Sequence, residues 1–265
     1  MVNSLKKSDP IREMFAKIAP RYDFLNRLLS LGIDRRWRRS ASKNITAHVG
    51  GRLLDIATGT GDMALEAARA TNNSVKIIGV DYCAAMVEIG RDKIHASLHR
   101  DRVALGVASC EALPFRNNAF DAATIAFGIR NVADRSLGLR EILRTLLPGG
   151  VAVILEFSNP KSRLFKAVYH FYFRRILPAI GGLFSDSGAY QYLPDSVLDF
   201  PEQEVFKKIM IEAGFENVSH SDYTFGIVTC YVGKKPVTPN SPDSPLRTGE
   251  YFQGPEQPAV FAKKA

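Results

Sequence analysis

From residue 52 onward, short runs in which nearly every position is apolar alternate with longer stretches whose apolar residues recur at helical spacing. The runs are "RLLDIA", "VKIIGVD", "VALGV", "FDAATIAF" and "GVAVILEF". Strands apolar on both faces must be covered on both. The crossover-length segments between them supply that cover, so the pattern predicts a mostly parallel, doubly wound α/β sheet. "FENVSHSDYT" and "GIVTCYVGKK" lie almost back to back and predict an antiparallel hairpin finishing one edge. Upstream, Ile11, Met14, Phe15, Ile18, Tyr22, Leu25, Leu28 and Leu29 follow helical spacing, with Lys17, Arg21 and Arg27 off the stripe and Pro20 dividing the helix in two. Such a stripe either packs over the sheet as a lid or lies on an anionic surface. The chain thus divides into a basic helical segment (1–50), a core (51–235) and a Pro- and Ser-rich tail (236–265) expected to be disordered.

Composition narrows the setting. With 46% hydrophobic and 23% charged residues the chain is an ordinary globular one. Cys83, Cys110 and Cys230 are odd in number and widely spaced, which argues against a disulfide framework and against a metal site. With no signal sequence and no spanning run, the expectation is a cytoplasmic protein, peripheral to a membrane at most. The net charge of +8 matters less than its placement: residues 1–50 carry eleven Lys and Arg against four Asp and Glu.

The candidate chemistry sits in "LDIATGTGD", residues 54–62. In a doubly wound sheet the first strand-to-helix turn lies against the ligand. Gly59 and Gly61 clear side chains there, Thr58 and Thr60 offer hydroxyls, and Asp55 and Asp62 offer carboxylates. The third glycine of the dinucleotide fingerprint is missing, and Asp62 at a helix start would repel a pyrophosphate. A cationic arm would gain from it. Asp81, closing the second strand, can accept both hydroxyls of a ribose. A nucleoside with a cationic, amino-acid-like arm is S-adenosylmethionine. Taken singly, Asp81 could be a helix cap and the glycines a tight turn.

"LDIATGTGD", "GVD", "EALPFRNNAFDAATIAFGIRNVAD", "LREILRTLLPGG" and "ILEFS" resemble the class I methyltransferases that C-methylate ubiquinone and menaquinone precursors. So do "MFAKIAPRYDFLNRLLSLGIDRRWRR", "YQYLPDSVLDFP" and "AGFENVSHSDYTFGIVTCYVGKK", so that the resemblance spans about residues 8–235. It implies a Rossmann-like, seven-stranded sheet and a cofactor held by Thr60, Asp81 and the stretch before "EALPF", where Ser109 and Cys110 stand in place of the usual Asp or Asn followed by Ala. Ala126, "RTLLPGG" and Asp34 are further departures.

The resemblance implies a prenylated quinol as substrate. Ten of the 25 Phe and Tyr residues fall between Phe157 and Phe200, predicting either a substrate lid or an aromatic satellite core. A ring carbon becomes nucleophilic when a neighbouring hydroxyl ionises. Arg130, whose pKa stays above 12, is therefore read as stabilising that phenolate and orienting a water, with Asn131 binding a ring oxygen and Tyr22 as a further catalytic candidate. The alternatives are a strand-end salt bridge for Arg130 and lid packing for Tyr22. His170 is read as structural. RNA methylation lacks its amino-methylating loop here, so no nucleic-acid partner is expected; a cofactor-binding scaffold without catalysis is the rival from another class. A homo-oligomer or a quinone-biosynthesis complex stays open.

Overall fold

The computed structural model describes residues 2–46, 51–160, 192 and 195–237, with side chains from residue 10. The tail beyond residue 237 and most of the aromatic insertion, His170 included, lie outside the described residues.

Seven strands form one sheet: β1 (Arg52–Ile56), β2 (Lys76–Asp81), β3 (Val103–Val107), β4 (Phe120–Ala126), β5 (Leu146–Phe157), β6 (Glu216–Tyr223) and β7 (Val228–Lys234). Their order is β3-β2-β1-β4-β5-β7-β6. The first five are parallel, and β7 runs antiparallel between β5 and β6. The predicted strands and the hairpin edge are all present. β5 starts four residues before the predicted "GVAVILEF", because Leu146 pairs with Phe120 before a shift in register. At that irregularity a Cβ on Gly150 would lie 2.8 Å from Leu147 O and 2.9 Å from Asp121 O, so the backbones can meet only at a glycine.

Consecutive residues of a strand face opposite ways, which is why the central strands are apolar throughout. Leu53 joins the core under α3 (Asp34–Thr46) and α4 (Asp62–Ala70), with Trp37, Ala41, Ile45 and Ala64. Leu54 and Ile56 join the opposite core under α6 (Arg135–Thr145) and α7 (Gln203–Glu212), with Phe120, Ile142 and Phe206. α5 (Ala84–His95) follows β2.

The N-terminal stripe forms α1 (Val2–Ile18) and α2 (Tyr22–Leu29), separated by a 3-10 turn at Ala19–Arg21 that contains Pro20, as its position predicts. Phe15, Ile18 and Tyr22 pack with Ala19, Cys83 and Met86, so this face covers the ends of the strands. α3, within the basic segment, is part of the helical layer on the sheet. Among the described residues no helix is long and apolar enough to cross a membrane.

Candidate active site

The strand order reverses between β1 and β4, and a crevice opens at their carboxyl ends. Each strand is followed by a non-glycine residue in left-handed backbone, Ala57 (φ +50°) and Phe127 (φ +59°). Such conformations cost on the order of 1 kcal/mol each and concentrate where a site requires them. The two loops touch where Gly128 lacks the Cβ that would collide with Ala57.

The crevice widens into a cavity of about 120 Å³ lined by Gly59, Asp81, Tyr82, Met86, Ser109 and Cys110, with Phe127 and Asn131 at the β4 end and Phe15 and Tyr22 overhead. Asp81 Oδ2 accepts the Gly59 N–H and Oδ1 the Cys83 N–H, both at 2.8 Å. Burial pushes this carboxyl up from the ordinary range, against the pull of those backbone donors. The Tyr82 N–H acts on the same carboxylate, which keeps acceptor capacity for a ribose hydroxyl. Gly59 (φ +56°) presents no side chain, and the Tyr22 ring lies 3.8 Å from where its Cβ would be. Burial pushes the Cys110 thiol up to about 12, so it is a neutral wall. These residues fit S-adenosylmethionine: a carboxylate for the ribose, an apolar slot for the base and a bare backbone for close approach.

Ala57 also lines this cavity, whereas Asp55, Thr58, Thr60, Gly61 and Asp62 of the glycine turn do not. Asp55 is wholly buried behind the turn, its two oxygens taken by the hydroxyls of Thr58 (2.6 Å) and Thr124 (2.7 Å). It braces β1 to β4 and to the turn. Burial raises its pKa to about 6 even though both hydroxyls favour the ionised form. A raised folded-state pKa means that the associated stability is complete below the unfolded value, near 4, and is lost as pH rises through 6. Asp55→Asn is therefore expected to gain on the parent protein by up to about 3 kcal/mol between pH 4 and 7, as read from denaturant melts at both ends. A parallel pair of pH profiles would contradict this.

Gly61 (φ +82°) caps α4. Thr60 is buried, donates to Asp23 Oδ1 at 2.5 Å and accepts from Lys93 Nζ at 3.0 Å. Lys93 also pairs with Asp23 and, at 2.8 Å, with Asp62. Burial pushes the Asp62 carboxyl up, but Arg38, Lys93 and Arg27 outweigh it and hold the group below the usual carboxylate range. Asp62, expected from the sequence to face a cationic arm, is engaged here by Lys93 on the far side of the turn. Asp23, Lys93 and Thr60 together latch α2 to the turn. Neither Asp23 nor Lys93 carries a motif that could have singled it out.

Arg130 lies one layer behind the cavity wall, 8% exposed. Its Nη1 donates to Phe127 O at 2.6 Å and to Glu156 Oε1 at 2.7 Å, while its backbone N–H donates to Glu156 Oε2 at 3.2 Å. The strand-end ion pair left open by the sequence is thus present. Its partner, fully buried Glu156, stood unassigned within "ILEFS". Burial opposes the Arg130 charge, but Glu156 and Tyr22 more than compensate and hold its pKa above the ordinary guanidinium value. Its Nε is buried without a partner among the described residues, leaving one donor for a ligand or water. Beside it, Asn131 Oδ1 accepts from Tyr192 OH at 2.9 Å. That bond fixes the amide with its NH₂ as the open group. Burial raises the pKa of both Tyr22 and Tyr192, so both are hydrogen-bond donors at neutral pH.

Comparison with known proteins shows the family. The model of the "ubiE/COQ5 methyltransferase family" matches residues 2–235. The chain is 61% identical over 235 residues to the ubiquinone/menaquinone biosynthesis C-methyltransferase UbiE of Geobacter sulfurreducens, covering 89% of this chain and 92% of the relative. It is 48% identical over 230 residues to the demethylmenaquinone methyltransferase of Deinococcus radiodurans, covering 86% and 94%. Among solved structures, the [4+2]-cyclase SpnF superposes with a TM-score of 0.64 at 19% identity, covering 86% of this chain and 96% of that one. A SAM-dependent methyltransferase of Thermotoga maritima superposes with 0.59 at 20%, covering 84% and 98%. At those identities the likeness is one of fold. The sequence relatives go further, and the chain belongs to the ubiE/COQ5 methyltransferase family, whose chemistry is S-adenosylmethionine-dependent C-methylation.

Proposed function

We propose that the protein methylates a ring carbon of a reduced, prenylated quinone precursor, demethylmenaquinol, to give menaquinol. The observation that carries this reading is the pairing, at the end of β4, of a cation with one open donor (Arg130 Nε) and an amide held with its NH₂ open (Asn131). Asn131 lines the cavity, and Arg130 stands directly behind its wall. The demethylmenaquinone methyltransferases among the relatives support the naphthalenoid ring.

S-adenosylmethionine, when bound, supplies an electrophilic methyl carbon; Asp81, Gly59, Ser109 and Cys110 are the residues that would hold it. The substrate ring needs an ionised hydroxyl beside the carbon to be methylated. Arg130 lowers the cost of that phenolate through its charge and its open Nε–H, in a setting dry enough for one charge to act strongly. Asn131 donates to the same ring and sets its orientation. With Tyr22 and Tyr192 protonated, the hydroxyl proton passes to water. Phe15 and Tyr22 of the lid keep bulk solvent from the cavity.

Mass spectrometry of quinones from a deletion strain tests the reading. Naphthoquinones short by one methyl, restored by the gene, are expected. A benzenoid quinone short by one methyl would favour ubiquinone-type substrates instead, an alternative that the relatives with the combined ubiquinone/menaquinone name support. Unchanged quinones would leave a cofactor-binding scaffold.

A second test addresses Asn131. Tyr192→Phe is expected to lower kcat about five- to tenfold, the worth of one hydrogen bond near 1 kcal/mol, with the cofactor KM unchanged. In an Asn131→Ala background the same change should do nothing further. Additive losses would show that Tyr192 acts by another route.

A further inference from the structure

On the other side of the glycine turn, α2, α3, α4 and α5 enclose a second cleft of about 420 Å³. It is lined by Arg27, Arg35, Arg38, Arg39, Arg69 and Lys93 against only Asp62 and Glu66. The sequence explains the convergence. Arg35, Arg38 and Arg39 stand at i, i+3 and i+4 of α3 and so share one face, while Trp37 is buried in the core.

The acidic groups are already shared. Glu66 holds Arg39 at 3.2 Å and Arg69 at 3.1 Å, Asp62 holds Lys93, and Arg38 is paired with Asp34. The Arg27 and Arg35 guanidinium groups make no hydrogen bond or ion pair to another described residue. Like charges gathered in a concave site raise its potential and favour an anion that can take several of them at once. The same cations, Arg38, Lys93 and Arg27, hold the Asp62 carboxyl below its usual range in spite of burial. A phosphate group, with its fork-matched oxygens, is the anion that arginines in such an array take best.

Two apolar side chains favour one source of that phosphate. Phe24 and Leu31, three residues before and four after Arg27, are 55% and 83% exposed. A free phosphate gives them nothing to bury against; a bilayer surface does.

We propose that this cleft is a phosphate-binding site that takes headgroups of an anionic lipid surface, with Phe24 and Leu31 entering the interface beside it. The proposal rests on the quinol reading only for why the chain should meet a bilayer; the site itself stands outside the methyl-transfer cavity.

The test is co-sedimentation of the full chain with phosphatidylcholine vesicles, with and without phosphatidylglycerol. Binding is expected only to the anionic vesicles. Arg27→Gln with Arg35→Gln should weaken it about 30-fold, at roughly fivefold per cation near the surface. Arg140→Gln with Lys208→Gln, an equal loss of charge from exposed positions on the opposite face, should leave it nearly unchanged. Methylation of a short-chain, water-soluble quinol by the Arg27/Arg35 variant should match the parent, which separates failure here from failure of the proposed reaction. Equal weakening in both double variants would trace binding to net charge and overturn the site. A melting shift with inorganic phosphate, lost in the Arg27/Arg35 variant, without vesicle binding would overturn the lipid source. Binding to neither phosphate nor vesicles would overturn both.

Discussion

Arg130→Ala is expected to lower folding stability by about 3–5 kcal/mol and to remove turnover, and adding Glu156→Gln should restore most of the stability and none of the turnover. The first loss follows because Glu156, fully buried, would keep its charge with no partner in the layer behind β4. The neutral amide of the double variant removes that stranded charge and still accepts a backbone N–H in the place of Oε1 or Oε2. Turnover should not return, because no cation remains to favour the phenolate. Denaturant titrations and single-turnover assays with a reduced quinol read the two quantities separately. Recovery of both together would make Arg130 a brace for the β4–β5 ends and deny it a part in the reaction.

Asp81→Asn should weaken binding of sinefungin or S-adenosylhomocysteine by about tenfold or more and lower the melt of the free protein as well. One hydrogen bond to a charged acceptor is worth about 1.5 kcal/mol at the low end, which gives that factor. The amide also turns its NH₂ toward the Gly59 or the Cys83 N–H, setting donor against donor where the carboxylate now accepts both. Titration calorimetry measures the change. Affinity like the parent's would mean that Asp81 serves only to tie the glycine turn to the start of α5.

Much of the fold was legible because it is written in neighbouring residues. The predicted strands, the hairpin edge and the break at Pro20 follow from apolar spacing and turn chemistry over stretches of five to ten residues. The glycine turn was legible too, since Gly59 and Gly61 answer a local steric demand. Less legible was what each polar residue of that turn faces. Asp55, Thr58, Thr60 and Asp62 all looked like cofactor ligands, yet Asp55 braces β4, and Thr60 and Asp62 are engaged by Lys93 some thirty positions away.

The sequence alone determined the sheet and its hairpin edge, the glycine turn at the end of β1, Asp81 at the end of β2 and the cation after β4. The tertiary structure alone decided that Arg130 is charge-paired with Glu156, that Tyr192 orients Asn131, that Asp23 latches the lid, and that arginines from three helices meet in one cleft. The division has a physical cause. Spacing and backbone strain depend on residues close in the chain, whereas a buried charge takes whatever partner the packing of distant elements brings within hydrogen-bond reach.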